Sequence, residues 1–194
     1  MEQTLPDKLL EKSKEAFVMA IEIYNKPTIK YRVEGFSFFI CNAWELMLKA
    51  YLLKTNGNDS IYYRDNPERT ITLENCLQKV FTNEKAPLRR NLAKIIELRN
   101  TSTHFITEEY EMIYIPLFQA CVLNYVEKMQ ELHDVDMTKV IPQNFLTLVV
   151  SMKALDESII RAKYPEEIAN KIMTIDRQLE PIIAENNQAF AIKI

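Results

Sequence analysis

The chain has 194 residues, 47% of them hydrophobic and 26% charged, which is enough apolar content to build a domain core and too much for a disordered chain. Only 2 glycines are present, too few for the turns of a β-sandwich, a phosphate loop or a dinucleotide fingerprint, so helices joined by short polar loops are expected. A formal net charge of −3 excludes coating of nucleic acid by bulk charge and leaves room for a local basic site.

The first helix is expected over residues 5–25. Leu10, Ser13, Phe17, Ala20, Ile21 and Tyr24 recur at helical spacing, and Pro6 suits an early helical position. Pro27 ends it, because the residue before a proline is pushed out of helical geometry. In the connection that follows, Lys30 and Arg32 are exposed basic residues or phosphate contacts. A second helix is expected over residues 35–55, with Phe36, Phe39, Ile40, Ala43, Trp44, Met47, Leu48 and Tyr51 forming a broad apolar arc that suits a central element. Glu45 and Lys49 stand four apart in it, in the favourable order for an intrahelical pair; the other reading turns Glu45 inward to hold a cation from another helix.

Residues 56–70 read as a long polar loop with Tyr62 and Tyr63 as a candidate pair for stacking on bases. A short third helix is expected over residues 71–81, with Thr72 as its cap. The fourth occupies residues 88–105. Leu88, Leu92, Ile95 and Ile96 make its core stripe, and the stripe runs on into Arg99. An arginine at a core position needs an anionic partner, and such a mismatch of pattern and residue type is where a site is expected. Asn100 and His104 lie four apart on the neighbouring face, and Arg89, Arg90 and Lys94 add positive charge earlier on the helix. Thr101, Ser102 and Thr103 are poor helix formers that loosen this turn and bring His104 towards Arg99.

The fifth helix is expected over residues 108–131, started or kinked by Pro116. After His133 the character changes. Residues 145–152 read as a strand or a short buried helix, and residues 166–186 as a last helix broken near Pro181. Residues 190–194 look like the start of a strand, as in a piece of a longer protein. Cys41, Cys76 and Cys121 are far apart in apolar helical patterns and read as buried free thiols. With no CxxC pair and 2 histidines, no metal site is expected. No basic segment precedes an apolar run at the N-terminus, and no uncharged apolar stretch reaches the roughly 18 residues of a membrane span, so a cytoplasmic chain without membrane contact is expected.

Arg99, Asn100 and His104 suit one chemistry without a metal. Histidine moves a proton near neutral pH, arginine grips a phosphate and its growing charge, and asparagine orients a phosphate oxygen or a hydroxyl. Together they fit RNA cleavage by the substrate's own 2′-hydroxyl, which DNA lacks. One chain offers one such histidine, so a symmetric homodimer pairing two of these helices completes the site.

The motif Arg99-Asn100-x-x-x-His104 late in a fourth helix resembles the HEPN superfamily (higher eukaryotes and prokaryotes nucleotide-binding). The run Ala43-Trp44-Glu45-Leu46-Met47-Leu48-Lys49-Ala50-Tyr51-Leu52 is similar to the A-x-E-x-x-L-K-A-x-L pattern of that group. Residues 11–17 and 31–36 look like a bacterial branch associated with abortive infection. The resemblance implies an all-α, HEPN-like bundle of four to five helices over residues 1–132. A smaller C-terminal appendage of mixed or helical character, or the start of a second domain, then occupies residues 133–194. It implies a metal-independent endoribonuclease without cofactor, acting on RNA as a homodimer in phage defence or a toxin–antitoxin system, with an antitoxin or other regulatory partner. Arg99, Asn100 and His104 carry over as catalytic, Glu45 as supporting, and Lys49, Arg90 and Lys94 as weak RNA contacts. The competing expectations are a non-catalytic HEPN module that binds RNA or a protein partner, and a plain helical dimerisation domain.

Overall fold

In a computed structural model of the chain, the described residues are 3–101, 108–141, 157–184 and 187–192, with the side chains of residues 108–110 left aside. They form seven α-helices and no named strand: α1 Leu5–Tyr24, α2 Arg32–Asn56, α3 Leu73–Val80, α4 Pro87–Thr101, α5 Glu108–His133, α6 Glu157–Lys163 and α7 Glu166–Ala184. The fold is all-α, as the scarcity of glycine implies.

α1 begins at a reciprocal cap, in which Thr4 Oγ1 accepts from the Asp7 N–H and Asp7 Oδ2 accepts from the Thr4 N–H. α1 and α2 pack as an antiparallel pair. Ser13 meets Ala43 midway, and Ile23 meets Gly35 near the connection. A Cβ added at Gly35 would lie 2.9 Å from Ile23 Cγ2, so the absence of a side chain there sets how closely the two helices approach. α5 lies across this pair and runs alongside α2. Phe118 packs on Tyr24 and Phe36, and Tyr125 stacks on Phe17 and meets Trp44 edge-on. Trp44, Tyr125, Phe36, Met47 and Ile40 are fully enclosed, so α2 is the central element that its broad apolar arc implies. By length and composition α2 could cross a membrane, but 67% of its apolar window is buried inside the fold.

α2 ends at Gly57, whose φ of +87° lies in the left-handed region that glycine tolerates. The segment that follows is more ordered than a plain polar loop. It contains a 3-10 turn at Asn58–Ile61 and a bridge between Tyr62 and Thr70, and Ile61 and Ile71 are buried. Tyr63 is turned inward: its hydroxyl accepts from Asn75 Nδ2 at 2.8 Å and its ring lies under Arg69. These contacts correct the reading of the tyrosine pair as a platform for bases.

Three further expectations change. α2 begins at Arg32, three residues early. Pro181 lies inside a continuous helix rather than at a break, and Pro116 lies inside α5 rather than at its start. Residues 190–192 are no strand; Phe190 and Ala191 are buried against α4 and α5. The expected strand or helix over residues 145–152 lies outside the described residues. Met137, Ile160, Ile172 and Leu179 join the same apolar core as the first five helices.

Candidate functional site

The stripe on α4 is buried as expected. Leu92 and Ile95 are fully enclosed and Ile96 nearly so, and Arg99 follows them at the end of the helix. The Arg99 side chain is 26% exposed. Its Nη2 donates to Glu74 Oε1 of α3 at 3.3 Å, and its Nε donates to Asn100 Oδ1 at 3.2 Å. Glu74 is thus the anionic partner that a half-buried arginine requires. Glu74 lies in the first turn of α3 and is not among the residues that the sequence singles out. Its signal was indirect, since Arg99 demanded an anion and α3 carried one. Asn100 is exposed beside the guanidinium. His104 lies outside the described residues.

Behind Arg99, Glu45 and Lys49 form the intrahelical pair, with Lys49 Nζ 2.5 Å from Glu45 Oε1 and 2.9 Å from Thr70 Oγ1. This is no surface pair. Lys49 is 5% exposed, because the segment carrying Thr70 closes over it. A lysine enclosed this far cannot reach a phosphate, so the expected RNA contact at Lys49 is corrected to a buried tie between α2 and the α2–α3 connection. Glu45 holds Lys49 of its own helix rather than a cation from another. Arg90 is also committed inward, with its guanidinium 5.1 Å from the centre of the Phe190 ring. Lys94 pairs with Glu97 at 2.8 Å on the outer face. Arg89 donates to Phe81 O and to Glu84.

These groups share one field. Burial pushes the Cys41 thiol up to about 12; the Arg99 charge works against that shift, and Glu74 and Glu45 reinforce it. Burial likewise pushes Cys76 up to about 12, with Lys49 opposing and Glu45 reinforcing. Two cations, Arg99 and Lys49, and two carboxylates, Glu74 and Glu45, thus act on two protonated thiols, neither of which is a nucleophile.

A second polar group gathers where α1, α2 and α5 begin or end. Arg32 grips Glu111 through two nitrogens, with Nε and Nη2 each 2.9 Å from a carboxylate oxygen. This fork ties the start of α2 to α5. Burial raises the pKa of Tyr24, and the neighbouring Glu111 charge adds to the rise. Burial also raises Glu34, whose Oε2 is enclosed without a hydrogen-bond partner. No group of three or more His, Cys, Asp or Glu side chains that could hold a metal occurs among the described residues.

Comparison with curated proteins and with solved structures gives no match. A family pattern, described as a domain of unknown function, matches residues 8–182, which includes α2 to α6 and nearly all of α1 and α7. The chain belongs to this family, DUF3644.

Proposed function

We propose that the chain is a metal-independent endoribonuclease of HEPN type, built from two copies and serving in phage defence or a toxin–antitoxin system. The observation that carries this reading is Arg99. It ends a core stripe half-buried, paired with Glu74, and beside the exposed Asn100 on the last turn of α4. A guanidinium has five N–H donors, so holding Glu74 and contacting a phosphate are compatible. In the proposed reaction His104 of one copy removes the proton from the RNA 2′-hydroxyl. That oxygen attacks the adjacent phosphorus, the bond to the 5′-oxygen breaks, and the second copy's histidine protonates the leaving oxygen. The products are a 2′,3′-cyclic phosphate and a 5′-hydroxyl, and Arg99 stabilises the charge that builds on the phosphate.

The test is labelled RNA, and DNA of the same sequence, incubated with the purified chain in excess chelator. RNA is cut and DNA is not, and His104→Ala lowers the rate by about 100-fold or more. Equal cleavage by wild type and His104→Ala sinks the proposal. The Glu74 pair also favours a second reading, in which Arg99 serves packing in a non-catalytic module that binds RNA or a protein. That module binds RNA without turnover, and Arg99→Ala lowers its melting temperature while RNA remains intact.

A further inference from the structure

Residues 187–192 leave α7 and dock into a groove between α4 and α5. Their contacts are unlike ordinary core packing, because side-chain amides of the groove read the segment's main chain. Asn91 Nδ2 donates to Phe190 O at 2.7 Å, and to Leu117 O of α5 at 2.9 Å. Asn124 Nδ2 donates to Ala189 O at 2.7 Å. The Ile192 N–H donates to Pro116 O at 2.9 Å. Both asparagines are enclosed, Asn91 at 0% and Asn124 at 4% exposure. With the segment in place both amides are enclosed and satisfied, so its docking is held by main-chain hydrogen bonds as well as by apolar packing.

The segment brings its own shape. The Phe190 and Ala191 N–H groups donate to Asn187 O, and the Ala189 N–H donates to Asn187 Oδ1, which makes an asparagine-led turn. That turn presents the Phe190 ring to a pocket roofed by Arg90, where Phe190 is 2% exposed. Ala191 is enclosed beside it, at 1% exposure. Two amide donors on main-chain carbonyls and an enclosed aromatic anchor are the parts of a peptide-recognition site.

Two observations separate the groove from its occupant. Arg90, Asn91, Pro116, Leu117 and Asn124 all lie within residues 8–182 that match the family, whereas residues 187–192 lie beyond them. In addition, Asn91 Oδ1 stays enclosed without a hydrogen-bond partner, so the groove has one acceptor that this occupant does not use.

We propose that the α4–α5 groove is a binding site for a peptide segment with an asparagine-led turn, an aromatic anchor and a following small residue, and that residues 187–192 occupy it in cis as a competing ligand. The groove residues do not include Arg99, whose anionic partner Glu74 is on α3, so the proposal stands whether or not the chain cleaves RNA.

The test uses the full chain carrying Phe190→Ala and a labelled synthetic peptide of residues 187–192. The variant binds the peptide with micromolar affinity, and the same peptide carrying Phe190→Ala binds at least about 10-fold more weakly. The wild-type chain binds less of it, because its own segment competes at a high effective concentration. No binding by a variant that retains the wild-type helical circular dichroism overturns the proposal, as does equal binding of the two peptides. Should the variant not fold, hydrogen exchange on the wild-type chain decides. A displaceable segment exchanges its Ile192 amide at least about 100-fold faster than the Tyr125 amide, whereas equal rates make the segment part of the core and overturn the proposal.

Discussion

Burial governs how the second histidine titrates. His133 ends α5, and its Nε2 donates to Met47 O at 3.1 Å while Nδ1 is enclosed without a partner. Burial holds the imidazole below its ordinary value of 6.5, and the Lys54 charge adds to this. The unfolded chain therefore takes up the proton before the folded one does. Stability from this residue is present above pH 6.5 and is lost as the pH falls from there towards the depressed folded value. Glu34 works in the opposite sense: burial raises its carboxyl, so protonating it favours the folded chain as the pH falls towards 4.5. The two are separated by substitution. Thermal unfolding between pH 7.5 and 5.5 shows a falling melting temperature for wild type and a flatter profile for His133→Gln. Parallel profiles would show that His133 does not carry the dependence. Arg99 could be picked out from the sequence because its mismatch with the Leu92, Ile95 and Ile96 stripe is local. Glu74 could not be assigned to it, because which face of α3 meets α4 depends on the tertiary packing of a helix only 8 residues long.

Among the helices, the junction of α1, α2 and α5 rests on one hydroxyl. Ser13 Oγ donates to Ala43 O at 2.7 Å and lies 2.7 Å from the Tyr125 hydroxyl. A serine has one proton to give, so with Ala43 O as its acceptor, Tyr125 is the donor to Ser13. The two deletions are therefore unequal. Ser13→Ala leaves the enclosed Tyr125 hydroxyl without its acceptor and costs about 1–3 kcal/mol, whereas Tyr125→Phe removes only the donor and costs about 0.5–1.5 kcal/mol. Urea unfolding of the two variants checks the order, and a larger cost for Tyr125→Phe would reverse the assigned direction of the bond. Ser13 falls on the α1 core stripe in the sequence, and its enclosure follows from that. Its partners do not, because Ala43 and Tyr125 are 30 and 112 residues away. The same limit explains Pro116 and Pro181. A proline signals a lost N–H, but whether the helix ends there or continues depends on what packs against it, and both helices run on. It also explains Lys49, which looks like a surface partner of Glu45 until the Thr70 segment encloses it.

For the whole molecule, the proposed chemistry needs a second copy, and α2 offers a face for it. Tyr31 at the N-cap is 60% exposed and Phe38, two turns on, is 59% exposed. Stepping by four and then three residues from Phe38 reaches Asn42 and Glu45 on the same side of the helix. Glu45 acts on the same buried thiol, Cys41, as Arg99 and Glu74 do, so this face leads from exposed aromatic rings to the candidate site. A second copy seated there would shelter Phe38. Because Phe38 is exposed in the single chain, Phe38→Glu changes folding stability by less than about 0.5 kcal/mol, and its effect on assembly can be read separately from folding. Light scattering at micromolar concentration is expected to give twice the 22.8 kDa chain mass for wild type and a single chain mass for Phe38→Glu. The variant then loses RNA cleavage while keeping His104 and Arg99. A variant that stays monomeric yet cleaves like wild type would refute a composite site, and a wild type that is itself monomeric would remove the basis for pairing two histidines.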